Sequence, residues 1–429
     1  MLKKCLVFGL IVVIFTLSLQ GVLFAQQVVT LRVVHAWPPV EMERQKKLDE
    51  EFMKKYPNIK LQVENATWSE LLTKYQTQAA AKALPDVYYL HYTWAQMLIR
   101  NGMLLNLQPF IDKDPSFNLK DFFPVTLVPY KDKKGDIYAI PYDCNSYPLY
   151  YNIDLFKKAG LAFPNSKWRL DKEFLETAIK LTIKDDKGRI IQWGLDGNFS
   201  QLPADIRTSQ FEAFGARDSN DEETELYITE PKAIEAVKWW TDLVVKYHVA
   251  PTPAEAKAIV QPFSFGKVAM SYGGPYDLER WAQYGSFKVN VEEMPIGPSG
   301  IRPNAIAGSA YGISPFTQHP KEAWLYLKFY MSKESLEFMW SKPGALIPAR
   351  RSAGAPFENW WREKGLNAKV FRKAIEYSKY GHFISPAGPE VNQIFGREIQ
   401  LILLGQKTVE DALNKIEQDA LPVLAKYNK

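Results

Sequence analysis

The chain has 429 residues, more than a single compact core usually holds, and so predicts two or more lobes. Apolar residues make up 46% and charged residues 24%, which excludes a disordered or collagen-like chain. The formal net charge of +5 is too small over this length to indicate a nucleic-acid-binding protein.

The amino-terminal segment Met1–Ala25 has the layout of a secretory signal peptide. Lys3 and Lys4 precede an apolar run over 6–19, and Ala25 offers a small residue before a polar stretch. An uncleaved membrane anchor is the alternative, because the run approaches the ~18–20 residues that a spanning helix needs. We expect export with cleavage near Ala25, which removes the two lysines and leaves a formal net charge of +3. The mature protein is then expected to be soluble, in the periplasm or at the extracellular face.

Strands and helices alternate along the first part of the mature chain. The predicted elements are, in order, a strand over 28–34, a helix ending at Pro57, a strand over 59–63, a helix over 71–83 and a strand over 86–90. This alternation is typical of βαβ units and predicts an α/β fold with a mostly parallel sheet and helices on both faces.

The same pattern recurs later in the chain. We predict a helix capped by Asp171, a helix from Pro231, a strand over 267–272, a helix after Ser332 and a last helix from Thr408. The acidic stretch over 218–225 is expected to be an exposed loop.

The usual signatures of catalysis and cofactor binding are absent from the sequence. There is no HExxH, GxSxG, Walker or GxGxxG motif. The five histidines lack metal-ligand spacing and are expected in loops or on the surface: His35, His91, His248, His319 and His382. Cys5 precedes the apolar run, so it cannot carry the lipid of a lipoprotein, and Cys144 is expected to be a packed residue without a disulfide. We predict no metal, no cofactor and no catalytic residue.

Aromatic residues make up 14% of the chain, more ring surface than a core of this size needs. Several rings come where a predicted strand ends: Trp37, Trp68, Tyr92, Trp94 and Tyr276. Ligands of open α/β sheets bind beyond the carboxyl ends of the strands. Flat rings there suit a sugar, whose C–H faces stack on a ring while its hydroxyls take hydrogen bonds. For any single ring, core packing is an equally good explanation.

Four segments in order resemble the extracellular solute-binding proteins of ABC importers, in the sugar-binding group that includes maltose-binding protein. They read IYAIPY from 137 followed by LYYN from 149 and LFKKAGL from 155, then FGKVAMSYGGPY from 265, AGSAYGIS from 307 and PGALIPAR from 343. The resemblance spans nearly the whole mature chain. Tyr276 stands where the family usually carries Trp, and 144–145 and Pro148 lie where the family varies.

The resemblance implies two α/β lobes, each with a mostly parallel sheet, that close by hinge motion over a ligand. The crossings are expected near 138–143, 292–295 and 329–341. The first lobe would comprise 26–140 and 296–333, and the second lobe 141–295 and 334–429.

The resemblance also implies which residues hold the ligand. They are Trp37, Glu41, Trp68, Tyr92, Thr93, Trp94, Asp143, Asn145, Tyr276, Ser309, Tyr311 and Arg350. For Glu41 and Arg350 a solvated or ion-paired surface charge is an equally good explanation. The implied partners are a carbohydrate, expected to be an oligosaccharide, and the permease subunits of an ABC transporter in the membrane. We expect a monomer without enzymatic activity.

Two alternatives remain open from the sequence. An exported glycoside hydrolase would need two carboxylates, such as Asp143 and Glu41, that meet in space and leave no signature in the sequence. The same fold could also bind a polyamine, a metal chelate or a sugar phosphate. Tyr150 and Tyr151 suggest iron ligands, although the family pattern favours structural roles for both.

Overall fold

The computed structural model describes residues 28–258, 263–278, 281 and 288–427. The predicted signal peptide and Cys5 lie outside these residues. Within the described ranges, no helix combines the length and apolar composition needed to cross a membrane.

In the described part of the chain, twelve strands form two large sheets and one small sheet. The strands are β1 (Val29–His35), β2 (Ile59–Asn65), β3 (Val87–His91), β4 (Ala139–Pro141), β5 (Asn145–Ser146), β6 (Leu149–Asn152), β7 (Ile183–Lys184), β8 (Ile190–Leu195), β9 (Val268–Tyr272), β10 (Val289–Glu292), β11 (Ile306–Ala307) and β12 (Ser309–Ile313).

Helices flank both large sheets. They are α1 (Pro39–Lys55), α2 (Trp68–Ala80), α3 (Tyr92–Arg100), α4 (Gln108–Asp112), α5 (Ile153–Lys158), α6 (Leu175–Leu181), α7 (Arg207–Glu212), α8 (Pro231–Val245), α9 (Pro253–Ala258), α10 (Pro320–Tyr330), α11 (Lys333–Leu336), α12 (Ala355–Glu363), α13 (Lys369–Tyr377), α14 (Gly388–Leu403) and α15 (Val409–Tyr427). Short π-helical segments precede α6 and follow α11, at Leu170–Phe174 and Glu337–Ser341.

The first lobe is built on the sheet with strand order β2-β1-β3-β12-β4. β1 runs parallel to β2 and β3, whereas β12 runs antiparallel to β3 and β4. Leu31 and Val33 of β1 are buried with Phe52 of α1. This burial explains why an apolar run rich in β-branched residues forms an interior strand of the sheet.

The second lobe is built on the sheet with strand order β10-β6-β9-β8-β7. Only β8 and β9 are parallel neighbours there, and the other pairs are antiparallel. The two-lobed α/β fold is as predicted, but the prediction of mostly parallel sheets was wrong. The alternation of strands and helices along the sequence indicates the parallel strand pairs within each sheet. It contains no information about strands that join a sheet after the chain has passed through the other lobe.

Local predictions along the chain hold at most positions. The second and third predicted strands appear as β2 and β3, and Pro57 follows the end of α1. Ser332 Oγ accepts a hydrogen bond from Ser335 N at 3.2 Å, and Thr408 Oγ1 accepts one from Asp411 N at 3.1 Å. These hydroxyls satisfy amide groups at the beginnings of α11 and α15, as a capping residue does.

Three segments connect the lobes and are bonded to one another. The first contains β5, which pairs with β11 in the second. Ser309 N, at the end of the second, donates to Asp143 Oδ1 at 2.6 Å, and Cys144 N donates to Ile347 O in the third at 2.8 Å. A Cβ at Gly308 would lie 2.9 Å from Asp143 O, so this close approach requires glycine. Cys144 is buried, as expected for a packed residue.

The exact lobe boundaries stay a prediction, and we propose moving two of them later in the chain. Ile296 O accepts from Leu170 N at 2.9 Å, and Ser299 N donates to Ala213 O at 3.1 Å, which ties 296–299 to the second lobe. Arg350 pairs with Asp121 of the first lobe at 3.0 Å. These contacts favour a return to the first lobe after residue 299 and a last departure after residue 350.

Candidate functional site

A cavity of about 1270 Å³ lies between the two lobes. Its first-lobe wall is built by the segment after β1 and by the first turns of α2 and α3. The loop before α7, the first two turns of α14 and Tyr276 after β9 form the second-lobe wall, and the interlobe segments form the floor. A cleft between two lobes is a common place for a ligand site.

Strand directions explain why the first-lobe residues meet at one edge. β1 and β3 are parallel neighbours, so the residues that follow them, including Trp37 and Trp94, emerge at the same edge. β12 runs antiparallel to β3, and its first residue Ser309 pairs with His91, the last residue of β3. The amino end of β12 therefore reaches the cavity beside the carboxyl ends of β1 and β3.

Aromatic rings dominate the walls of the cavity. The lining rings are Trp37, Trp68, Tyr89, His91, Trp94, Tyr142, Tyr147, Tyr276 and Trp340. The Trp37 ring centroid lies 4.8 Å from that of Trp340 and 5.3 Å from that of Tyr142. Trp68 lies 5.0 Å from Trp94 and is 49% exposed, so its ring remains open to a ligand.

The floor of the cavity carries a buried carboxylate and an amide. Asp143 Oδ1 accepts from Ser309 N at 2.6 Å, and Asp143 Oδ2 accepts from Asn145 Nδ2 at 2.7 Å. Burial raises the pKa of Asp143 to about 7, because desolvation disfavours the ionised form. Asn145 Oδ1 is buried and has no hydrogen-bond donor among the described residues. It is therefore an acceptor suited to a ligand hydroxyl.

Asp205 belongs to the second-lobe wall and is held from both sides. Tyr92 OH of the first lobe donates to Asp205 Oδ1 at 2.7 Å, and Tyr147 OH donates to Asp205 Oδ2 at 3.0 Å. The Tyr92 bond joins the two lobes directly. Asp205 is thus fixed in orientation, and its carboxylate oxygens retain further lone pairs for hydroxyl donors.

The charged groups of the lining are all acidic. They are Glu41, Asp143 and Asp205, and no lysine or arginine is among the described residues that line the cavity. Amides and hydroxyls complete the polar lining, at Ser69, Thr73, Thr93, Asn145, Ser309, Asn392 and Gln393. A phosphate or carboxylate would meet like charge without a cationic partner in this lining.

Nine of the twelve predicted binding positions line this one cavity. They are Trp37, Glu41, Trp68, Thr93, Trp94, Asp143, Asn145, Tyr276 and Ser309. Their placement brings together residues from both lobes and from the interlobe floor. A role of each in binding a ligand stays a prediction.

The other three predicted positions lie outside the lining and need correction. Tyr92 is buried against Tyr380, at a centroid distance of 4.7 Å, and acts on the cavity only by holding Asp205. Tyr311 lies two residues further into β12, where it is buried beside His35. Arg350 donates to Met331 O at 2.9 Å and pairs with Asp121, so its positive charge is neutralised by a carboxylate of the first lobe.

His35 was expected in a loop or on the surface, and that expectation was wrong. It ends β1, is fully buried, and contacts Tyr311 OH through Nδ1. Burial lowers the pKa of His35 to about 3, because the imidazolium form would lose its hydration.

We expect His35 to make the fold sensitive to acid. The unfolded chain protonates this histidine below about pH 6.5 and the folded chain does not, so stability is lost as the pH falls below that value. Between pH 6.5 and pH 5 the wild-type chain should lose about 1.5 kcal/mol more than the His35→Gln variant. Urea unfolding at both pH values measures this, with His248→Asn at an exposed histidine as control. Equal losses in wild type and His35→Gln would contradict it.

Several lining residues had no signal in the sequence. Trp340 comes from the π-helical segment after α11, and Asp205 from an irregular loop. Asn392 and Gln393 come from the second turn of α14. Among the other lining rings, Tyr142, Tyr147 and His91 could have been found, because each lies within two residues of a predicted position.

The fold and the cavity together define a two-lobed substrate-binding protein. Residues 41–337 match the family described as bacterial extracellular solute-binding protein. Because this match covers more than half of the chain, the protein belongs to that family.

Known proteins similar to this chain agree with that assignment. A Listeria monocytogenes ABC substrate-binding protein solved in complex with cycloalternan has a TM-score of 0.83 and 22% identity, covering 92% of this chain and 99% of that one. A binding protein of Brucella abortus is 23% identical over 379 residues, covering 86% of this chain and 87% of the relative. The sn-glycerol-3-phosphate-binding periplasmic protein of Agrobacterium fabrum is 23% identical, covering 70% of each chain.

Proposed function

We propose that this protein is the exported substrate-binding component of an ABC transporter, and that it captures a carbohydrate in the interlobe cavity and delivers it to the membrane permease. The observation that carries the proposal is the combination of aromatic rings with fixed oxygen acceptors around one cavity. Sugars present apolar C–H faces and polar edges, which such a lining matches.

The size of the cavity favours an oligosaccharide. Typical small-molecule sites have volumes of ~300–1,000 Å³, and this cavity, at about 1270 Å³, is larger. Rings on both walls allow more than one sugar unit to stack. The Listeria protein of similar fold was solved with an oligosaccharide-class ligand, cycloalternan, which supports the same ligand class here.

The charge of the lining favours a neutral ligand over a phosphate ester. The Agrobacterium relative is named for sn-glycerol 3-phosphate. In this chain Glu41 and Asp205 would repel a phosphate, and no lysine or arginine among the described lining residues would attract one. We therefore place a neutral saccharide ahead of a sugar phosphate.

The proposal includes no chemical step. Both oxygens of Asp143 accept hydrogen bonds within the interlobe floor, and both oxygens of Asp205 accept hydrogen bonds from tyrosines. These bonds suit carboxylates that orient a ligand. We also propose that Met1–Ala25 is a signal peptide removed on export and that the mature chain is a monomer.

Ligand-dependent unfolding tests the proposal. The mature chain would be unfolded with maltotriose, mannotriose, cycloalternan or glycerol 3-phosphate at increasing concentration. We expect at least one saccharide to raise the free energy of unfolding by ~3–4 kcal/mol at several hundred-fold excess over its Kd. Stabilisation by glycerol 3-phosphate alone would contradict the carbohydrate assignment. Sugar turnover in the same samples would contradict the absence of a chemical step.

A further inference from the structure

Arg207 is a buried cation directly behind the second-lobe wall. It is 1% exposed, and its guanidinium carbon lies 3.9 Å from the ring centroid of Phe395. Arg207 Nε lies 3.8 Å from Asp218 Oδ2. Asp218 also accepts from Thr208 Oγ1 at 2.8 Å and contacts His382 Nδ1.

The acidic stretch over 218–225 was predicted to be an exposed loop. Its first residue, Asp218, is instead a buried counter-ion of Arg207, so the prediction was wrong at Asp218.

One hydrogen bond connects this buried cluster to the cavity. Arg207 Nη2 donates to Asn392 Oδ1 at 2.6 Å, and Asn392 is in the cavity lining. A guanidinium has donors only, so the oxygen of the Asn392 amide must face it. The orientation of this amide is therefore fixed by chemistry, which removes the usual ambiguity between oxygen and nitrogen.

We infer that Arg207 is a positioning residue that holds Asn392 with its amide nitrogen towards the interlobe cavity, so that Asn392 donates a hydrogen bond to an oxygen of the bound saccharide. This inference rests on the proposed function. Asn392 Nδ2 has no recorded acceptor among the described residues and remains available to a ligand.

The two asparagines of the lining consequently have opposite polarity. The amide nitrogen of Asn145 donates to Asp143, which leaves its oxygen as an acceptor for a ligand. The amide oxygen of Asn392 accepts from Arg207, which leaves its nitrogen as a donor for a ligand. A hydroxyl that donates near the floor and an oxygen that accepts at the second-lobe wall would satisfy both. The pair therefore selects how a saccharide is oriented in the cavity, which stacking on rings alone would leave open.

The substitution Asn392→Asp tests the polarity. A carboxylate keeps one oxygen on Arg207 and places the other at the cavity, so the donor becomes an acceptor while the contact behind the wall is kept. By calorimetry, we expect affinity for the tightest-binding of maltotriose, mannotriose and cycloalternan to fall about tenfold, with no loss of stability. Gln400→Glu makes the same chemical change on an exposed face of α14 outside the lining and serves as control. Unchanged affinity in Asn392→Asp, or an equal loss in the control, would overturn the inference.

A double-mutant cycle tests the part played by Arg207. Arg207→Lys keeps a positive charge opposite Asp218 and removes the planar fork that reaches Asn392. We expect it to weaken sugar binding about fivefold in the wild-type background and less than twofold in an Asn392→Ala background, because the bond to Asn392 is already absent from the second. Equal losses of affinity in both backgrounds would show a merely structural role and overturn the inference.

Failure of the proposed function gives a different result. In that case the wild-type chain itself binds none of the three saccharides, whereas failure of the inference alone leaves wild-type binding intact and the variants unaffected.

Discussion

Replacement of Trp68 by alanine is expected to weaken saccharide binding about thirtyfold while changing the stability of the fold little. Trp68 lines the cavity and is 49% exposed, and its ring packs against that of Trp94 at a centroid distance of 5.0 Å. A ring in this position offers a sugar a stacking surface that alanine lacks. Because half of the residue is already exposed, truncation removes little buried surface from the folded protein.

Titration calorimetry on wild type and Trp68→Ala, with the saccharide that most stabilises the wild-type chain, measures this effect. Trp360→Ala is the matched control, since Trp360 is 39% exposed and lies outside the lining of the cavity. It should leave affinity unchanged. Full affinity in Trp68→Ala would mean that the ligand does not reach this end of the first-lobe wall.

Replacement of Arg350 by alanine is expected to have the opposite profile, a large loss of stability with no loss of affinity. Arg350 pairs with Asp121 at 3.0 Å, donates to Met331 O at 2.9 Å, and lies 4.6 Å from the ring centroid of Phe122. Removing one partner of such a pair leaves a poorly solvated charge and an unpaired carbonyl. We expect the free energy of unfolding to fall by about 3 kcal/mol.

Urea unfolding and calorimetry on the same preparation separate the two quantities. The control is Arg351→Ala, because Arg351 is the exposed neighbour and its guanidinium carbon lies 5.2 Å from the Phe123 ring. That change should cost less than about 1 kcal/mol. A loss of affinity in Arg350→Ala at a temperature where it remains folded would restore the binding role that the family resemblance implies.

The first-lobe part of the cavity could be predicted because it depends on local order along the chain. Trp37, Trp68 and Trp94 each come shortly after a strand, and parallel strands bring such positions to one edge. The same reasoning failed for Tyr311. Two residues along a strand move a side chain by ~7 Å, which takes Tyr311 from the edge into the core beside His35.

Other parts of the fold and of the site could not be predicted because they depend on contacts between residues far apart in the chain. Arg350 lies outside the cavity lining and pairs with Asp121, which is 229 residues away in the chain. Asn392 in the lining accepts a hydrogen bond from Arg207, which comes 185 residues earlier in the chain. The antiparallel pairing of β12 with β3 and β4 likewise depends on the return of the chain from the other lobe. No short window of sequence contains such information.

The buried position of Cys144 makes the chain convenient for spectroscopy. Burial raises the pKa of this thiol, so reagents that require an accessible thiolate will leave it unmodified. Once Cys5 is removed with the signal peptide, exposed cysteines introduced as Lys60→Cys in β2 and Lys180→Cys in α6 would be the only ones to accept a spin label or dye. Such a labelled pair spans the two lobes and converts their separation into a distance readable in solution, without any change to the native thiol.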